Sequence, residues 1–202
     1  MLIVIADSTH VANEAAFINA MFDAGMEIFH LRKPAVDAGE LKDLLKKIKP
    51  EYHPQIALHQ HHEIAIDYKI KRLHFSEFKR KEMNEAYFLK LQSDKFILST
   101  SVHTTADYNI LSSSFQYVFF GPVFNSISKK GYSATINENF VFKHQPNHPK
   151  VIAIGGVDTN NMKFALDMQF DGVAVLGAVW QFPEISVQQF IKLQKTWKQL
   201  GR

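Results

Sequence analysis

The chain has 202 residues, is 46% hydrophobic and 21% charged, and carries a formal net charge of +3. That balance describes an ordinary globular protein with one sizeable core and argues against a disordered or fibrous chain. It has no cysteine, which excludes disulfides, thiolate nucleophiles and thiolate metal sites.

The first residues, MLIVIADSTH, form a short apolar run without a basic leader or a small-residue cleavage signature, so they read as a strand and not as a signal peptide. Seven further β-rich runs follow, giving candidate strands at 2–6, 27–31, 55–58, 72–75, 96–99, 117–120, 151–154 and 172–176. Several, such as LIVIA, VIAI and VAVL, are apolar nearly throughout, as strands buried on both faces are. Helical periodicity predicts helices over 12–24, stopping before Gly25, and 36–48, stopping before Pro50. It also predicts helices over 104–111, 160–168 and 187–200, with Thr159 or Asn160 as the N-cap of the fourth. Weaker helical patterns lie at 63–68 and 137–143.

No apolar stretch approaches the roughly 18 residues needed to cross a bilayer, so the chain reads as cytoplasmic, with no membrane partner. Lysines and arginines are spread along amphipathic segments such as 41–49 and form no stripe, so nucleic acid is not an expected partner. There is no linker and no short-period repeat, and residues 1–202 read as one domain. Eight strands alternating with helices fit a parallel eight-stranded (β/α)8 TIM barrel at the short end of its size range, with an open doubly wound sheet as the alternative.

In such a barrel, function gathers where strands end and βα loops begin. Four places qualify. Gly155 and Gly156 follow the seventh strand; they either expose amides to phosphate oxygens or simply turn the chain. Gly177 and Ala178 follow the eighth, so two turns in consecutive positions suit one phosphate group. The loop FGPVFNSISKKG after strand six offers Ser126, Ser128 and Lys129 between glycines, and reads as a lid over an anion or as a solvated polar loop. His30 and Arg32, at the end of strand two, share a side by alternation, and Arg32 has the geometry for bidentate phosphate contact.

His59, Gln60, His61 and His62 follow strand three, and His74 lies on strand four. Their spacing lacks the accompanying carboxylate or cysteine of a usual metal site, so no metal ligands are assigned. His61–His62 reads as solvent-facing and His74 as a satisfied strand residue.

The stretches LIVIAD, FHLRK, IALHQHHEIA, RLHFSE, LSTSVHT, YVFFGPVFNSISKKG, VIAIGG and GVAVLGA together resemble the thiamine phosphate synthase and TenI-like family over nearly the whole chain. The resemblance implies a (β/α)8 barrel, often a homodimer, acting on phosphorylated small molecules. It implies phosphate contacts from Ser126, Ser128, Lys129, Gly155, Gly156, Gly177 and Ala178. It places Ser101 over a pyrimidine and Arg32 facing a diphosphate. The synthases join an aminopyrimidine diphosphate to a thiazole phosphate with the help of Mg²⁺, so Mg²⁺ is a cofactor here only if that activity is retained.

The chain departs from the synthase pattern at the metal and diphosphate positions. Gln-x-Arg-x-Lys becomes His30, Arg32 and Pro34, leaving Lys33 as a displaced substitute. An Asn-Asp pair becomes His59-Gln60, and a second aspartate becomes Lys79, with Glu77 as a substitute reachable by a loop shift. The TenI-like branch has a thiazole phosphate tautomerase whose histidine lies in the GPVF-like motif, where this chain has Pro122. The leading expectation is therefore a TenI-like protein that binds a thiazole or thiamine phosphate and moves a proton through His59 or His30, with Arg32 and Lys129 assisting. The alternatives are a synthase with an unusual metal site and a non-catalytic ligand binder.

Overall fold

In a computed structural model, described over residues 1–125 and 139–201, eight parallel strands close into a barrel in sequence order. They are β1 (Leu2–Ile5), β2 (Ile28–Leu31), β3 (Ile56–Leu58), β4 (Arg72–Phe75), β5 (Ile97–Val102), β6 (Phe115–Phe120), β7 (Lys150–Ile154) and β8 (Gly172–Val175). β1 pairs with both β2 and β8, which closes the ring. All eight sequence-derived strands are present, with ends shifted by a few residues.

The helices are α1 (Glu14–Asp23), α2 (Ala38–Lys47), α3 (Glu77–Glu82), α4 (Glu85–Ser93), α5 (Thr105–Asn109), α6 (Met162–Asp167), α7 (Gly177–Trp180) and α8 (Ser186–Gln199). Five correspond to the periodic segments. α2 starts from a capping box in which Asp37 and Glu40 satisfy each other's backbone amides. α1 stops where Gly25 takes φ +93°, a left-handed conformation that suits glycine at a helix end. The N-cap of α6 is Asn161, not Thr159 or Asn160; the carboxylate of Asp158 accepts from the amides of both Asn160 and Asn161.

Neither weak helical segment forms an α-helix over its described residues. The first contains only the end of a single 3-10 turn, His62–Ile64. The described part of the second, 139–143, is irregular because Phe140 and Phe142 pack into an aromatic cluster with Phe120 and Phe170 instead of following a helical stripe.

Alternation along the strands creates two cores. Outward-facing residues such as Val4, Phe29, Leu58, Phe75, Val118 and Val175 are buried under the helices. Inside the barrel, Ile3, Ile5, Ile28, Phe119, Ile152 and Ala174 pack together with Tyr117. The remaining inner wall is polar: His30 on β2, His74 on β4 and Ser99 on β5 are all buried. The barrel interior is therefore part hydrocarbon and part hydrogen-bonded network, and the network rises toward the ends of β2 to β5.

Candidate functional site

The polar wall has a defined wiring. His30 Nδ1 lies 2.9 Å from His59 Nε2, and His30 Nε2 lies 2.7 Å from the Tyr117 hydroxyl. His74 places Nδ1 3.0 Å from Ser99 Oγ and Nε2 3.1 Å from Ser101 Oγ. The His59 and His74 rings stack at 4.1 Å, and His30 meets His74 edge-on at 5.3 Å. Every imidazole nitrogen of His30 and His74 has a partner, as buried polar groups require.

Burial is the first reason that these rings are neutral. It holds His30 and His59 well below the usual imidazole range, and His74 is pushed down to about 3. Neighbouring imidazoles and the guanidinium groups of Arg32 and Arg72 push the same way. Burial also raises the Tyr117 phenol, so its oxygen keeps its proton and remains available as a donor. The Ser99 hydroxyl and the Arg72 guanidinium oppose this rise.

His59, at the end of β3, is partly accessible, whereas His30 is fully buried behind it. Arg32, two residues beyond His30, is exposed and close enough to act on both His59 and His74. Ser101 is partly buried and sits on His74. This side of the mouth therefore gathers His30, Arg32, His59 and Ser101, as strand ends predicted. Ser126, Ser128 and Lys129 lie outside the described residues.

Two expected substitutes are committed elsewhere. Lys33 Nζ sits 2.7 Å from Glu14 Oε2 and donates to the Thr9 carbonyl, with both charged side chains 5% exposed. It is a buried structural cation, not a free group for a diphosphate. Glu77 is bound by Lys81 at 2.5 Å and approached by His103 at 3.6 Å. His61 and His62 are not simply solvent-facing: their Nε2 atoms bond to the carbonyls of Val36 and Leu58, so they fasten the loop after β3.

Opposite the imidazoles lie the turns after β7 and β8. Gly155 and Gly156 have φ of +96° and +66°. A Cβ on Gly156 would stand 2.2 Å from the Asn125 carbonyl oxygen, and one on Gly155 would stand 2.7 Å from Pro122 Cβ. The close approach that demands glycine here is thus to the loop after β6, where Val123 and Phe124 donate to the carbonyls of Ile154 and Gly155. The amides of Gly155, Gly156, Gly177 and Ala178 donate to no acceptor among the described residues, and all four residues are partly accessible.

Sequence reasoning gave no role to Tyr117 or Ser99, although their positions were readable: both share strand parity with residues that face inward. It also missed His103, whose Nδ1 lies 2.7 Å from the Gly121 carbonyl. An imidazole therefore stands beside the GPVF motif although Pro122 itself has none.

A closed parallel barrel whose polar side chains from β2 to β5 gather at one end has the architecture of the (β/α)8 barrels. The chain belongs to the thiamine monophosphate synthase (TMP-TENI) family, whose profile matches residues 2–179. It is 25% identical over 188 residues to a thiamine-phosphate synthase of Neisseria meningitidis, covering 89% of this chain and 90% of that protein. It is 32% identical over 110 residues to one of Lysinibacillus sphaericus, but that match covers 52% of this chain and half of that relative's length. A crystal structure of thiamine phosphate pyrophosphorylase from Bacteroides thetaiotaomicron superposes with a TM-score of 0.74 at 25% identity, covering 98% and 97% of the two chains.

Mg²⁺, implied by the synthase resemblance, prefers hard oxygen donors and usually one or two carboxylates. Among the described residues, this mouth gathers three imidazoles and two serine hydroxyls, with the guanidinium groups of Arg32 and Arg72 nearby and no carboxylate in the cluster. Among the described residues, the cluster that can converge on an ion contains only His30, His59 and His74. These residues do not fit Mg²⁺.

Proposed function

We propose that this chain is a TenI-like member of its family that binds a thiazole phosphate or thiamine phosphate at the barrel mouth and catalyses proton transfer on it. The phosphate lies against the amides of Gly155, Gly156, Gly177 and Ala178, whose missing acceptors and accessibility suit an anion. Lys129, Ser126 and Ser128 close over it by family resemblance, and Arg32 adds a cation from the opposite rim. Ser101 lies under the ring of the substrate.

The observation that carries the proton-transfer reading is the His59–His30–Tyr117 chain. His59 reaches the mouth, and its Nε2 is 2.9 Å from His30 Nδ1. For His59 to take a substrate proton at Nδ1, its own proton sits on Nε2 and is donated to His30 Nδ1, while His30 Nε2–H is donated to the Tyr117 oxygen; a proton accepted at Nδ1 then releases the one on Nε2 inward. The buried surroundings keep both rings neutral, with a free lone pair on each, as weaker bases than an exposed imidazole.

Solvent deuterium incorporation into thiazole phosphate, followed by NMR in D₂O, tests this directly. Enzyme-dependent exchange that drops at least about tenfold in His59→Ala, as loss of a general base does, supports the assignment. Undiminished exchange in both His59→Ala and His30→Ala removes it. The synthase reading predicts instead that the two precursors condense when Mg²⁺ is present. A pure binder would return its ligand unchanged and unexchanged.

A further inference from the structure

We propose that His30, His59 and His74 form a binding site for a borderline divalent transition cation of the Zn²⁺ or Co²⁺ type. This goes beyond the proton-transfer reading and does not depend on it.

Each of the three residues offers a ring nitrogen, and those nitrogens lie within 4.8 Å of one another. Nitrogens on a tetrahedral zinc stand about 3.4 Å apart, given Zn–N distances near 2.0–2.1 Å. Nitrogens that stand as far as 4.8 Å apart close to about that spacing, the His30–His59 pair opens to it, and the stacked His59 and His74 rings turn so that both lone pairs meet the ion. The His30 Nδ1 to His59 Nε2 separation, 2.9 Å, already falls below that spacing.

The outer contacts also suit ligation. Metal-bound imidazoles usually hold their second nitrogen on a hydrogen-bond partner, which fixes the ring. His30 holds Nε2 on the Tyr117 hydroxyl, and His74 has a serine hydroxyl at each nitrogen, so one serine stays when the other nitrogen turns to the ion. The rings come from three successive strands, β2, the end of β3 and β4, which are paired in register. That framework places the donors on rigid elements and leaves the mouth side open for a fourth ligand.

One proton is shared between His30 and His59. An entering cation takes the two facing lone pairs, and that proton moves to the far nitrogen of the ring that owns it, so no proton need leave the protein. A cation and the shared proton exclude each other, so the loaded chain has lost the His59–His30 relay. Imidazole donors select borderline transition ions over Mg²⁺ or Ca²⁺. Arg32 and Arg72 oppose a dication, so the fourth ligand is expected to be an anion or hydroxide.

The test uses the full chain stripped with a chelator and then titrated with Co²⁺ in the absence of substrate. The proposal predicts one ion per chain and the intense visible bands of four-coordinate cobalt. Co²⁺ affinity should fall at least tenfold in His59→Ala and remain unchanged in His144→Ala, whose ring lies on the exterior. Zn²⁺ should displace Co²⁺ at equal stoichiometry, whereas excess Mg²⁺ should not. A wild-type chain that gives only weak six-coordinate spectra, or the same spectrum in wild type and folded His59→Ala, overturns the site. If a histidine variant fails to fold, the wild-type stoichiometry and spectrum still decide. Because no substrate is present, failure here leaves the deuterium-exchange result untouched.

Discussion

His30 and His59 share one hydrogen bond, 2.9 Å between Nδ1 and Nε2, across the join between a buried strand position and the barrel mouth. The proposed proton transfer runs through that bond, and its direction follows the tautomer of His30, whose other nitrogen meets the Tyr117 hydroxyl at 2.7 Å.

Tyr117→Phe should therefore affect more than packing. It leaves a His30 nitrogen buried without its partner, at a cost of about 1–3 kcal/mol. Denaturant midpoints check the stability, and deuterium exchange checks the function. The account expects exchange to slow while phosphate affinity is kept, because Tyr117 positions His30 and does not touch the ligand.

The buried histidines make stability acid-sensitive. Folded His74 titrates at about 3, and His30 and His59 are also well below the ordinary 6.5. Below pH 6.5 the unfolded chain binds protons that the folded rings refuse. The stability these groups contribute is thus complete above 6.5 and is lost as pH falls toward their folded values. Between pH 7 and 5 the His74 ring accounts for about 2 kcal/mol, and His30 and His59 add to the loss in the same direction. Urea midpoints in the presence of chelator should fall across that window; a flat profile would mean that the rings are not buried as described.

Lys33 and Glu14 form the other buried polar pair, 2.7 Å apart. Burial raises the Glu14 pKa, and Lys33 only partly opposes it. Lys33→Met should cost about 3–5 kcal/mol by leaving a buried carboxylate without its cation. The double variant Glu14→Leu with Lys33→Met should recover much of that loss. Ligand affinity in a folded Lys33 variant should hardly change, since this lysine serves the framework.

Gly156→Ala should damage both fold and ligand grip. The new methyl would meet the Asn125 carbonyl oxygen at 2.2 Å, and φ is +66°. A strained backbone of this kind costs about 1–3 kcal/mol before the clash is relieved. Thermal unfolding reports the first effect, and calorimetric titration with thiazole phosphate reports the second as weakened binding.

The barrel was legible because strands buried on both faces leave continuous apolar runs, such as VIAI and VAVL, that no surface segment imitates. α3 and α4 were not, since Glu77–Glu82 buries nothing and Glu85–Ser93 buries only Phe88. Their caps, Ser76 and Asn84, were the readable signal. At the site, His30 and His59 could be brought to the mouth from strand ends alone. Their contact could not, because neighbouring strands set that distance through register. Nor could the commitment of Lys33, in the loop after β2, to Glu14 at the start of α1. The imidazole cluster escaped a spacing rule because its members sit on three separate strands.

The most direct test of the central claim is calorimetric titration of the wild-type chain with thiazole phosphate and thiamine phosphate, with and without Mg²⁺. The account predicts binding of at least one of them with the same affinity in both conditions, because the grip is made by amides and cations of the chain. Binding that requires Mg²⁺, or no binding of either ligand, would contradict it.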